Sequence, residues 1–115
     1  MNVQQVYAFL GGDYGAIYEA LRSDALIARL LRLLSRDKSR PDLEAALASG
    51  DPEAAFRAAH TLKGVALNLH LGPLAEKASA LTEILRPRTL LGYEDAYEAL
   101  KREFARVQEA IAQLE

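Results

Sequence analysis

A chain of 115 residues and 12.6 kDa has room for one core and excludes a multidomain enzyme. Half of its residues are hydrophobic and 26% are charged, which excludes disorder, and a net charge of −2 without a basic stripe argues against a nucleic-acid partner. Cysteine is absent and the only histidines are His60 and His70, so disulfides, thiolate sites and histidine-rich metal clusters have no ligands and no resident metal or other cofactor is expected.

Apolar residues recur at helical spacing nearly everywhere and no segment sustains period-two alternation, so the fold is expected to be all-α. The opening Met1-Asn2-Val3-Gln4-Gln5 lacks the basic-then-apolar order of a secretory signal, and a cytoplasmic location is expected. A first helix is predicted from Asn2 to Leu10, with Val3, Val6, Tyr7 and Leu10 on one side and Gly11-Gly12 ending it. Asp13 caps a second short helix to about Arg22, and Ser23 or Asp24 caps a longer one to about Ser35. Arg29 and Arg32 cut its apolar stretches far short of the roughly 20 residues of a membrane span. After the polar run Arg36-Asp37-Lys38-Ser39, the sequence Ser39-Arg40-Pro41-Asp42 resembles a cap with an early proline, and Leu43, Ala46 and Leu47 carry the buried face on to Gly50. Asp51-Pro52 opens a helix reaching Leu69, and Gly72-Pro73 separates it from one reaching Arg86, with Leu74, Ala78, Leu81 and Leu85 aligned. The last and longest runs from about Tyr93 to Ala112, apolar at 97, 100, 104, 107, 111 and 114. These are read as four long helices and two short N-terminal ones, with a break and restart at Ser39. Short connections favour an up-down antiparallel four-helix bundle over 23–115, covered by the short helices of 1–22, in a single domain.

The helix from Pro52 to Leu69 carries the chemistry. At about 100° per residue, Ala55, Ala58, Ala59, Leu62, Val65, Ala66 and Leu69 share a core stripe. Nearly opposite stand Phe56, His60, Lys63, Gly64 and Leu67, a mixture that a merely solvated face does not present. Near neutral pH an imidazole keeps an unprotonated nitrogen able to attack phosphorus, and Lys63 one turn away supplies compensating charge. Gly64 leaves the surface beside His60 open, although glycine inside a helix costs about 1 kcal/mol against alanine. Its alternative explanation is close approach of a neighbouring helix.

The segment Ala58-Ala59-His60-Thr61-Leu62-Lys63-Gly64-Val65-Ala66-Leu67-Asn68-Leu69 resembles the signature helix of histidine-containing phosphotransfer (HPt) domains, A-H-x-L-K-G followed by small residues and N-L. The similarity extends over about residues 23 to 112, while the first 22 are less diagnostic. The resemblance implies that His60 is the phosphoacceptor, that Lys63 steadies the phosphoryl group and that Gly64 gives clearance for a receiver's aspartate and its Mg²⁺. The metal then belongs to the partner. Phe56 and Leu67 are expected at the centre of the docking face, where replacement by Asp should slow transfer without unfolding. The family often has a glutamine on the following helix to orient the imidazole, and Thr82 stands there, with a shorter side chain able to reach the ring directly or through water. His70 stands where the family commonly closes the helix with glycine, and it lacks a lysine and glycine at +3 and +4. The implied partners are response-regulator receiver domains and a hybrid sensor histidine kinase, with no membrane partner and a monomeric state.

Tyr93, Tyr97 and Phe104 fall at core or core-edge spacings, Arg86-Pro87-Arg88 is read as a solvated turn, and Glu76 and Glu83 are assigned no chemistry. Without a Walker-type phosphate loop or room for an ATP-binding domain, the chain is expected to be a phosphocarrier and not an enzyme. The competing functions are an adaptor bundle that binds a signalling partner without being phosphorylated, and a small helical enzyme, for which no second catalytic group is evident.

Overall fold

Asn2 opens the first helix, α1 (Val3–Leu10), through a reciprocal cap: its Oδ1 accepts from the Gln5 N–H at 2.8 Å while Gln5 Oε1 accepts from the Asn2 N–H at 2.9 Å. In this computed structural model, which describes residues 1–115, six further helices follow: α2 (Tyr14–Leu21), α3 (Asp24–Ser35), α4 (Ser39–Ser49), α5 (Pro52–Asn68), α6 (Gly72–Leu85) and α7 (Glu94–Ala112). The chain is all-helical. Asp13, Ser23 and Asp51 cap α2, α3 and α5 with side-chain oxygens, and Pro52 occupies the first turn of α5 where no intrahelical N–H bond is lost.

The break and restart expected near Ser39 separate α3 from α4. The break falls at Arg36–Lys38, and the cap differs from the one expected: Ser39 is itself the first residue of α4, and its N–H donates to Asp37 Oδ1 at 2.8 Å. Asp37, two residues earlier, therefore does the capping. No helix is long and apolar enough to cross a membrane.

Thirty apolar residues form one buried cluster. Helix α5 packs along α4 on one side and α6 on the other, α6 packs on α7, and α3 and α1 lean against α7. Burying Leu31, Leu62, Leu74, Leu81, Leu85 and Phe104 at this common seam contributes roughly 1.5–3 kcal/mol for each side chain. Phe104 is in the core, while Tyr93 and Tyr97 pack half-buried at its edge.

The C-terminus of α5 is fixed from the N-terminal helices. Tyr7 is fully buried and its hydroxyl donates to the Leu69 carbonyl at 2.7 Å, while burial pushes the phenol above its usual range. Asp13 N–H donates to the His70 carbonyl at 2.9 Å, and His70 adopts the left-handed conformation with φ 55°. Gly12 is required here, since a Cβ would sit 2.8 Å from the Tyr7 ring and 2.9 Å from the His70 carbonyl.

Candidate phosphoacceptor site

Because α5 is clamped between α4 and α6, its small inner residues Ala55, Ala58, Ala59 and Ala66 let those helices approach, and its outer residues are carried on a rigid rod. His60 is exposed halfway along that rod, Lys63 and Gly64 are half-buried beside it, and Leu67 is 53% exposed one turn further. These four share the outward side. Val65, placed by spacing on the inner stripe, is only half-buried. A Cβ added to Gly64 would meet nothing within 4 Å, so no neighbouring helix requires glycine there. Close helix approach does not explain Gly64, and what the missing side chain leaves is open surface next to the imidazole.

Two expectations are corrected. Phe56 is not an exposed docking residue: it is 8% exposed, because the turn after α6 folds over it. The Arg88 guanidinium carbon lies 3.7 Å from its ring centroid and that of Arg86 lies 5.4 Å away. The ring of Phe56 in turn sits 5.8 Å from that of His60 at a 35° tilt, so its contact is with the imidazole. An aspartate at position 56 would bury a charge, and the expected fold-neutral effect does not hold there. Thr82 is fully buried and its hydroxyl donates to the Ala78 carbonyl at 2.7 Å within its own helix, so its one donated proton does not orient the imidazole.

Charged groups that the sequence left without a role gather around Phe56 instead. Arg86 Nε and Nη2 donate to Glu83 Oε2 and Oε1 at 2.7 and 3.0 Å. That pairing holds the Glu83 carboxyl below the usual carboxylate range, and the positive charges of Lys63 and His60 push it in the same direction. Glu83 therefore lies within the electrostatic reach of both. Arg88 Nε donates to Glu53 Oε2 at 2.6 Å, linking the turn back to the first turn of α5. Glu83 and Arg86, three residues apart, have the spacing of a helix-surface pair, a weak signal in the sequence. The proximity of both arginines to Phe56 has no local signal, because it depends on how far the α6–α7 turn folds back.

On the other flank, toward α2 and α3, Ile17, Leu21, Leu30, Leu33 and Val65 line an open apolar groove of about 350 Å³, with Leu33 49% exposed. Leu67 is thus not alone as exposed apolar surface near the histidine.

The fold and site together define a small helical bundle presenting a single imidazole, flanked by lysine and glycine, from the outer side of a core helix. The family model described as Hpt domain matches residues 26–110, most of the chain. The chain belongs to the Hpt domain family, whose members serve histidine phosphotransfer in two-component phosphorelays as phosphocarriers and not as kinases. Neither the curated proteins nor the solved structures give a significant match.

Proposed function

We propose that the chain is a phosphorelay intermediate that carries a phosphoryl group on His60 and exchanges it with the aspartates of response-regulator receiver domains, one of them the receiver of a hybrid sensor kinase. The observation that carries this reading is Gly64: it stands mid-helix with empty space where its side chain would be, four residues after an exposed histidine and one after a lysine. In the transfer step an unprotonated imidazole nitrogen attacks the phosphorus of the receiver's acyl phosphate; the N–P bond forms as the bond from phosphorus to the aspartate oxygen breaks, and the carboxylate leaves with the electron pair. Lys63 offsets the negative charge of the phosphoryl oxygens, and Mg²⁺ accompanies the receiver.

The packing order supports an up-down four-helix framework in which α3 and α4 together form the first arm and α5, α6 and α7 the others. Docking centres on Leu67, with the charged Arg86 turn at the rim tuning which receiver is accepted. The test is to mix the protein with a phosphorylated receiver and Mg²⁺ and follow label in wild type and His60→Gln. Acid-labile, alkali-stable phosphate on wild type alone supports the reading. Failure of transfer from several receivers to the folded protein favours the adaptor function instead.

A further inference from the structure

Arg88 occupies the turn between α6 and α7 with φ 60°, a left-handed conformation that glycine enters freely and other residues enter under strain. Its backbone role there, an N–H bond to the Leu85 carbonyl at 2.9 Å, needs no side chain and glycine would serve it equally. The side chain is held in three ways. Its guanidinium carbon stacks 3.7 Å from the centroid of Phe56, its Nε donates to Glu53 Oε2 at 2.6 Å, and its Nη1 donates to the Arg86 carbonyl at 2.7 Å. The turn is thereby pinned onto the first half of α5, and Phe56 is enclosed between the helix and two guanidinium groups. His60 lies one helical turn beyond Phe56, its ring 5.8 Å from the phenyl ring and otherwise exposed.

We propose that Arg88, acting through Phe56, is a positioning residue for the His60 imidazole: it holds the phenyl ring against one flank of the imidazole and narrows the rotamers from which the ring meets phosphorus. The strained backbone at Arg88 is then retained for a side chain that acts at a distance. This rests on the phosphocarrier reading for its purpose, but its geometric content can be measured without any phosphate.

The test compares wild type with Arg88→Gly, Phe56→Leu and Phe56→Tyr by thermal unfolding, by side-chain NMR couplings of His60 in the bare protein, and by phosphoryl transfer from a phosphorylated receiver with Mg²⁺. Arg88→Gly relieves the left-handed strain but gives up the stacking on Phe56 and the Glu53 pair, so the unfolding midpoint should change little, while the His60 couplings move toward rotamer averaging and transfer falls about tenfold. Phe56→Leu should free the ring and slow transfer in the same way, and Phe56→Tyr, which keeps the aromatic face, should restore both. Unchanged His60 couplings in folded Arg88→Gly overturn the proposal, and so does ring averaging accompanied by a normal transfer rate. A wild-type chain that takes no phosphate would defeat the phosphocarrier reading, while the couplings would still decide whether Arg88 orders the ring.

Discussion

On its inner side α5 presents Ala55, Ala59, Leu62 and Ala66, none with any exposed surface, to the helices that enclose it; on the outer side of the same 17 residues it presents His60, Lys63, Gly64 and Leu67. The inner residues are selected by volume, since a methylene gained or lost there is felt by every neighbour. On the proposed function the outer residues serve transfer and docking, and stability depends on them far less than on the inner ones. The widest separation of the two should come from one pair of variants. His60→Gln should abolish phosphoryl transfer and leave stability within about 0.5 kcal/mol. Leu62→Ala, two residues away, should lower stability by roughly 2–5 kcal/mol, a large part of the ~5–15 kcal/mol typical of a domain. Denaturant unfolding beside a transfer assay reads both.

Leu67→Asp should affect recognition alone. Its side chain is already half in solvent, so the unfolding midpoint should change little, apart from a mild penalty for an acid near the C-terminus of α5. Transfer from a receiver below saturation should fall about tenfold, corresponding to ~1.4 kcal/mol of docking energy at one apolar contact. An unchanged rate would remove Leu67 from the docking face and leave the groove beside Leu33 as the apolar surface to test next.

Gly64→Ala should set the two faces against each other. With no atom within 4 Å of the added Cβ, alanine meets no clash and should stabilise α5 by roughly 0.5–1 kcal/mol. The same methyl group occupies the surface beside His60, so transfer should slow while the unfolding midpoint rises. A stabilised variant that transfers at the wild-type rate would show that the open space at Gly64 has no part in accepting a receiver.

The inner face of α5 was legible because it is periodic: alanines and leucines at helical spacing announce a buried stripe without reference to the rest of the chain. Helices α2, α3 and α5 were legible for a similar reason, each having a capping side chain immediately before its start. The break between α3 and α4 was seen in the polar run from Arg36, but its cap was assigned to Ser39 when Asp37 provides it; in a dense polar run several oxygens are near enough to serve. Phe56 and Thr82 were misplaced for a deeper reason. Helical angle puts Phe56 on the side of His60, yet whether that side is covered depends on the turn after α6, more than 25 residues later in the chain. Thr82 stands where a family resemblance points, but a hydroxyl on a helix can satisfy itself on the carbonyl four residues back, and in the core it does.

The smallest expected effect concerns the charges around the imidazole. Glu83 titrates below an ordinary glutamate, chiefly through its hydrogen bonds to Arg86 and to a lesser degree through the positive charges of Lys63 and His60. Its folded value is therefore below its unfolded one, near 4.3. The sign follows: the interaction contributes stability above that unfolded value, and the contribution disappears as pH falls through the lowered folded one. Glu83→Gln and wild type should accordingly differ slightly in stability at neutral pH by this interaction and lose that difference in acid. Carbon-detected titration of the Glu83 carboxyl gives the finer reading, with its midpoint moving up more in Arg86→Gln than in Lys63→Met. Equal shifts would mean that Arg86 is not the main partner of Glu83. No shift in Lys63→Met would place Lys63 outside the reach of Glu83, and the carboxylate would then belong to the α6 surface and not to the surroundings of His60.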